Sequence, residues 1–228
     1  MAATAPISLP AGIYRYARWQ YGRISGHTTI VVTRHAGNVT IQERTDDSIA
    51  GRNVSSVARL VLSGRLEPVR YADAFTFAGR SARAMVGIAH GDAEVSSSAT
   101  GGGVRSMPLL PTTRHFAIIE PGMAAGLFAL PAQVHWWGMP LATMVAPSLA
   151  RAEPLESSAV AVAARPADVP RADRSITIAG NVPFTMWYDP LTYVIDKIVT
   201  PSRHAVMTRI RELAGRRLRA SRRQALMG

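Results

Sequence analysis

Through the first hundred residues, apolar and polar side chains alternate with a period of two, which puts one face of a strand in a core and the other in water. In VTIQERT, Val39 and Ile41 share a face against Thr40, Gln42 and Arg44. From Asn53 to Ser63 the inward set is Val54, Ala58, Leu60 and Leu62. From Val69 to Phe77 it is Val69, Tyr71, Phe75 and Phe77, with Asp73 interrupting it, and from Arg80 to Gly91 it is Ala82, Ala84, Val86 and Ile88. An aromatic-rich stretch, Gly12 to Ile24, carries Tyr14, Tyr16, Trp19 and Tyr21 and is expected to form the opening strand. Ser25-Gly26, Ala36-Gly37-Asn38 and Gly91-Asp92 are expected turns, and Gly101-Gly102-Gly103 marks a break. Alternation resumes near the end, in LESSAVAVAARPADVPRADRSITIAG, Val182 to Tyr188, Tyr193 to Thr200 and Ala205 to Ile210. The pattern predicts a mainly β fold of about ten antiparallel strands, too many for a flat sheet, so the sheet curls strongly or closes in part.

One segment breaks the pattern. Between Glu120 and Arg151 there is no Asp, Glu, Lys or Arg. Met123, Leu127, Leu130, Val134 and Trp137 recur at helical spacing behind Pro121, which predicts an apolar helix. Pro131 removes a backbone donor, so a kink or break is expected there, with Gly138 and Pro140 ending the helix. The uncharged run is long enough to span a bilayer, but four prolines, Gln133 and His135 argue for a cover on the sheet instead. Two readings of that cover stand. It fills the sheet as an ordinary core helix, or it is a lid over an apolar pocket lined by Leu60, Leu62, Phe75, Phe77, Leu127 and Trp137 and rimmed by Phe128, Trp136 and Met139.

The domain plan is then a short extension (residues 1–11), one β half-barrel domain (12–211) with an insert at about 116–150, and a basic tail (212–228). The chain has 228 residues, no cysteine and a net charge of +11, much of it from eight arginines after residue 202 set against Glu212. The body is only mildly basic, so specific nucleic-acid binding is not expected, while the tail could contact an anionic surface. The segment MAATAPISLPAG has neither a basic nor an apolar signal region, but its small residues and early prolines look like the start of a mature chain just after a cleavage site, so a periplasmic or otherwise exported protein is expected. Thiol redox chemistry and disulfides are excluded.

An opening strand with Tyr14, Tyr16, Gly22 and Gly26, a mid-chain SGRLEPVRYADAF and a late VPFTMWYDPLT resemble the LolA/LolB-like half-barrel superfamily of bacterial envelope proteins. The resemblance covers roughly residues 12–211. It implies a strongly curved antiparallel sheet wrapped around helices, with a hydrophobic cavity for acyl chains. The superfamily also includes an enzyme, so the fold leaves the activity open.

Chemical motifs are sparse. Histidines 27, 35, 90, 115, 135 and 204 form no HxH or HxxxH pair, so no metal site is expected, and no cofactor motif is present. No GxSxG, P-loop, GxGxxG or SxxK occurs. If the pocket is catalytic, the acid-base candidates are the polar groups bordering the insert, Arg114, His115, Glu120 and His135, together with the inward Asp73. The expected function is binding or carriage of an apolar or amphiphilic ligand. The alternatives are a small-molecule enzyme using the same cavity and a structural envelope protein.

Overall fold

A computed structural model of the chain describes residues 9–49, 51–89, 92–109, 115–120, 122–137, 142–146, 151–154, 165–179, 183–201 and 204–211. The first block is a meander of eight strands: β1 (Gly12–Gln20), β2 (Arg23–His35), β3 (Asn38–Ile49), β4 (Arg52–Leu62), β5 (Pro68–Phe77), β6 (Arg80–Ala89), β7 (Asp92–Ala99) and β8 (Arg105–Leu109). Next come β9 (His115–Ile118), a helix α1 (Ala125–Trp137), β10 (Ala142–Ala146) and β11 (Arg151–Pro154). The last block is β12 (Arg174–Ile178), β13 (Phe184–Tyr188), β14 (Ile195–Thr200) and β15 (Ala205–Arg209). The first and last blocks join into one antiparallel sheet of twelve strands in the order β12-β13-β14-β15-β1-β2-β3-β4-β5-β6-β7-β8, curved and not closed. The sheet exceeds the expected ten strands in part because the meander continues past the triple glycine into β8. β9 and β10 pair in parallel and β10 and β11 antiparallel, giving a second sheet of three strands where the sequence suggested helix alone.

Register carries the alternation into space. Ile41 lies opposite Leu60, and Leu60 opposite Tyr71, and all three are fully buried on the inner face. The first hairpin turns at Tyr21-Gly22 (φ 49° and 75°) rather than at Ser25-Gly26, because two consecutive left-handed residues suit the twist of a two-residue hairpin. Gly26 lies inside β2, beside a register slip between Arg18 and Trp19, where a Cβ would come within 2.2 Å of the Asp46 carbonyl oxygen. A second slip, between Val61 and Leu62, turns Pro68 inward and leaves Val69 43% exposed, so Val69 leaves the inward set.

The helix is apolar nearly all round. Ala125, Phe128, Ala129, Leu130 and Ala132 have no exposed surface, and Met123 and Trp137 are buried, whereas Leu127 and Val134 are half-buried. Such a helix sits within a core rather than on its surface. Of the kink or break expected at Pro131, the break does not occur: the helix continues through that residue to Trp137. Both ends are held: Glu43 accepts from the Ala124 and Ala125 amides, Gln133 donates to the Leu66 carbonyl at 2.9 Å, and Trp137 donates to the Arg65 carbonyl at 3.4 Å. Gly126 lets the helix lie directly on β9, since a Cβ there would meet the Ile118 carbonyl oxygen at 1.8 Å. No helix among the described residues is long and apolar enough to cross a membrane.

Candidate functional site

The contacts of α1 divide the inner face of the sheet. Its N-terminus meets Glu43 in the middle of β3, and its other end reaches the turn after β4, at Arg65 and Leu66. Beneath it lie Val39, Ile41, Leu60, Leu62 and Leu66, all buried, and the Phe128 ring packs 5.0 Å from that of Tyr14. Leu60, Leu62, Phe128 and Trp137 of the expected pocket lining are therefore packed into this core. Phe75 and Phe77 lie on the inner face beyond the N-terminus of the helix. They are only half-buried, their rings stack 6.5 Å apart, and Arg52 lies 6.0 Å over the Phe77 ring. Val54 and Arg80 flank Phe77 in the ladder, and Ala82 lies opposite Phe75. Trp136 is exposed on the outside of the helix, and Met139 and Arg114 lie outside the described residues.

A polar belt marks the boundary between the two halves. Glu43 is 3% exposed, and its Oε2 accepts from the Ala124 and Ala125 amides at 2.6 and 2.8 Å. Its Oε1 accepts from Thr45, whose hydroxyl lies 2.7 Å from that of Thr28. Arg18 continues the chain, donating to Thr28 at 3.4 Å and to Asp47 at 2.8 Å. Burial pushes the Glu43 carboxyl up, against the pull of Thr45, the two helix amides and Arg18. A carboxylate here neutralises the positive end of the helix and fastens it to the sheet.

Two strands further along the same transverse row lies Asp73, with Ala58 between it and Glu43. Asp73 accepts from the Ala84 amide at 3.1 Å. Its other oxygen and the Tyr71 hydroxyl are buried without a partner at hydrogen-bonding geometry, although the hydroxyl is near enough to favour the carboxylate. Burial pushes Asp73 up, and it pushes Tyr71 well up, helped by the negative charge of Asp73 and Glu120. The fold thus brings the candidates Asp73 and Glu120 to Tyr71 beside the helix start. The two histidines lie elsewhere. His115 stacks on Trp137 at 5.3 Å with Glu67 3.7 Å away, and His135 tilts against Tyr193. Glu43, Tyr71, Thr45 and Arg18 are absent from the candidates read from the sequence.

A second carboxyl pair sits under the other block. Asp196 is 4% exposed and accepts from Arg211 at 2.5 Å, with Arg209 at 3.5 Å. Beside it, burial and then the hydrogen bond and charge of Asp196 push Asp173 up to about 7. A cleft of about 670 Å³ opens at the ends of β3, β4 and β5, lined by Asp46, Asp47, Arg52, Asn53, Ser55 and Thr76 among others. Val54, Ala78 and Gly79 make its lining mixed, and none of the expected ligand-lining residues borders it.

Geometry separates these groups by role. Glu43 is taken up by two backbone amides and one oxygen of Asp73 by another, which positions structure rather than a reacting molecule. The half-buried aromatic pair, with Arg52 over the Phe77 ring and Arg80 opposite Phe77 in the ladder, is apolar surface beside cationic residues. Comparison with protein-family models, with curated proteins and with solved structures finds no match for this chain.

Proposed function

We propose that the protein binds an amphiphilic, lipid-like molecule with an anionic head at the inner face of the sheet beyond the start of α1. The observation that carries this reading is the pair Phe75 and Phe77, stacked and half-buried on a face whose other half is fully packed. Val54 and Ala82 extend the apolar floor, and Arg52 and Arg80 supply donors for a carboxylate, sulfonate or phosphate. On this reading the helix is a fixed plug that forms one wall of the site. The role is that of a binding protein, a carrier or sensor in the manner of the half-barrel carriers it resembles, acting in the cell envelope. Covering about 100 Å² of aromatic surface would contribute roughly 2.5 kcal/mol.

The test is titration with anilinonaphthalene sulfonate, displacement by oleate, and mass spectrometry of a solvent extract of the purified protein. Phe75→Ser and Phe77→Ser should each weaken probe binding about tenfold, and Arg52→Ser should weaken oleate more than an uncharged alcohol of equal length. An extract free of lipid, together with probe binding indifferent to both phenylalanines, would reject the reading.

A further inference from the structure

We infer that the outer face of the meander is a docking surface for an anionic phospholipid bilayer, independently of any ligand bound inside. Alternation that sends Glu43, Asp47 and Asp73 to the inner face sends arginine to the outer one. Arg15, Thr29, Arg44, Val57, Ala74, Arg83 and Ser98 succeed one another across seven strands in a single transverse row of the ladder. The next row carries Arg59 between Gln42 and Ala72, and the one beyond carries Arg70 between Val61 and Gly87. All five arginines are exposed. At about 4.8 Å between strands, Arg15 and Arg44 stand about 10 Å apart and Arg44 and Arg83 about 14 Å. Among the described side chains at outward positions of these strands the carboxylates are Asp46, paired with Arg44 at 3.2 Å, and Glu94, which accepts from Ser106. A body whose overall charge is modest therefore turns a basic side outward.

The residues between the arginines select the partner. Ile13 (63% exposed) lies on the face of Arg15, Val57 (51%) lies opposite Arg44, and Met85 (45%) is on the face of Arg83. Aliphatic side chains among arginines suit the boundary between headgroups and acyl chains, where guanidinium groups meet phosphate and short apolar groups enter shallowly. Nucleic acid fits less well. A broad convex sheet cannot enter a groove about 12 Å wide, and these rows offer no aromatic platform for stacked bases.

The test is co-flotation of the full-length protein with vesicles of phosphatidylcholine containing 30% phosphatidylglycerol, compared with vesicles of phosphatidylcholine alone. The triple variant Arg44→Ser, Arg59→Ser, Arg83→Ser should lose roughly 100-fold in partitioning, about fivefold per arginine. The matching Arg→Lys triple should keep most of the binding. Substituting Arg216, Arg217, Arg219, Arg222 and Arg223 by Ser, which removes the basic tail as a cause, should cost much less. Circular dichroism melts of every variant verify folding, which these exposed positions should not disturb. Unchanged flotation of a folded Ser triple would overturn the inference. So would loss confined to the tail variant, or a single-stranded oligonucleotide that binds as tightly as the vesicles and loses its affinity in the same triple.

Discussion

Glu43 shows how one inward carboxylate fixes a helix. Its Oε2 takes both amides at the start of α1 in a site with almost no solvent contact. Removing it in Glu43→Ala leaves two buried donors unmatched and should cost about 3 kcal/mol in urea unfolding, whereas Glu43→Gln keeps one acceptor and should cost about half of that. Asp173 shows the opposite effect. Its folded pKa, about 7, lies above its ordinary value of 3.8, so between those values the folded chain binds the extra proton and stability falls as pH rises. Asp173→Asn removes that loss. Its melting temperature should therefore gain on the wild type between pH 4 and pH 7, with the gap constant below and above that window.

The strands were legible in the sequence wherever alternation was strict, as in Val54 to Leu62 and Ala82 to Val86, because period two and one buried face leave a single register. The same parity places Glu43 inward beside Val39 and Ile41, yet a charged residue in a pattern of apolar ones reads as an exception until its partner is seen. That partner, the start of α1, is eighty residues away and unreadable from local spacing. The hairpin at Tyr21-Gly22 was missed because a tyrosine with positive φ is uncommon, and Ser25-Gly26 offered a more ordinary turn. In the insert, helical spacing found α1, but β9 and β10 pair in parallel across the helix, a contact that no neighbouring residue announces. Gly126 joins these elements. Gly126→Ala should force the helix away from β9 and cost several kcal/mol, more than any gain in helix propensity, as measured by thermal unfolding; Gly102→Ala, in a turn where the added Cβ meets only the Ala99 carbonyl oxygen at 3.5 Å, should stay within about 1 kcal/mol of the wild type.

At the scale of the whole molecule, the sheet is two meanders joined where β15 pairs with β1, through Tyr16 opposite Arg209 and Trp19 opposite Val206. The Tyr16 hydroxyl reinforces the seam by donating to the Ile195 carbonyl of β14 at 2.9 Å. Val206→Pro would leave β15 without a ladder donor and should lower the melting temperature by more than Val104→Pro, in the exposed turn before β8. The seam also orders events during synthesis. A ribosome finishes the eight-stranded meander long before β15 exists, so for some hundred residues of elongation β1 is a bare edge bearing Tyr14, Tyr16 and Trp19. A chain released before residue 205 would keep that edge permanently, and pulse-labelled truncations ending at residue 200 should sediment with aggregates while those ending at residue 211 stay dispersed. Among the described strands, the one made last is thus the one that shields the first.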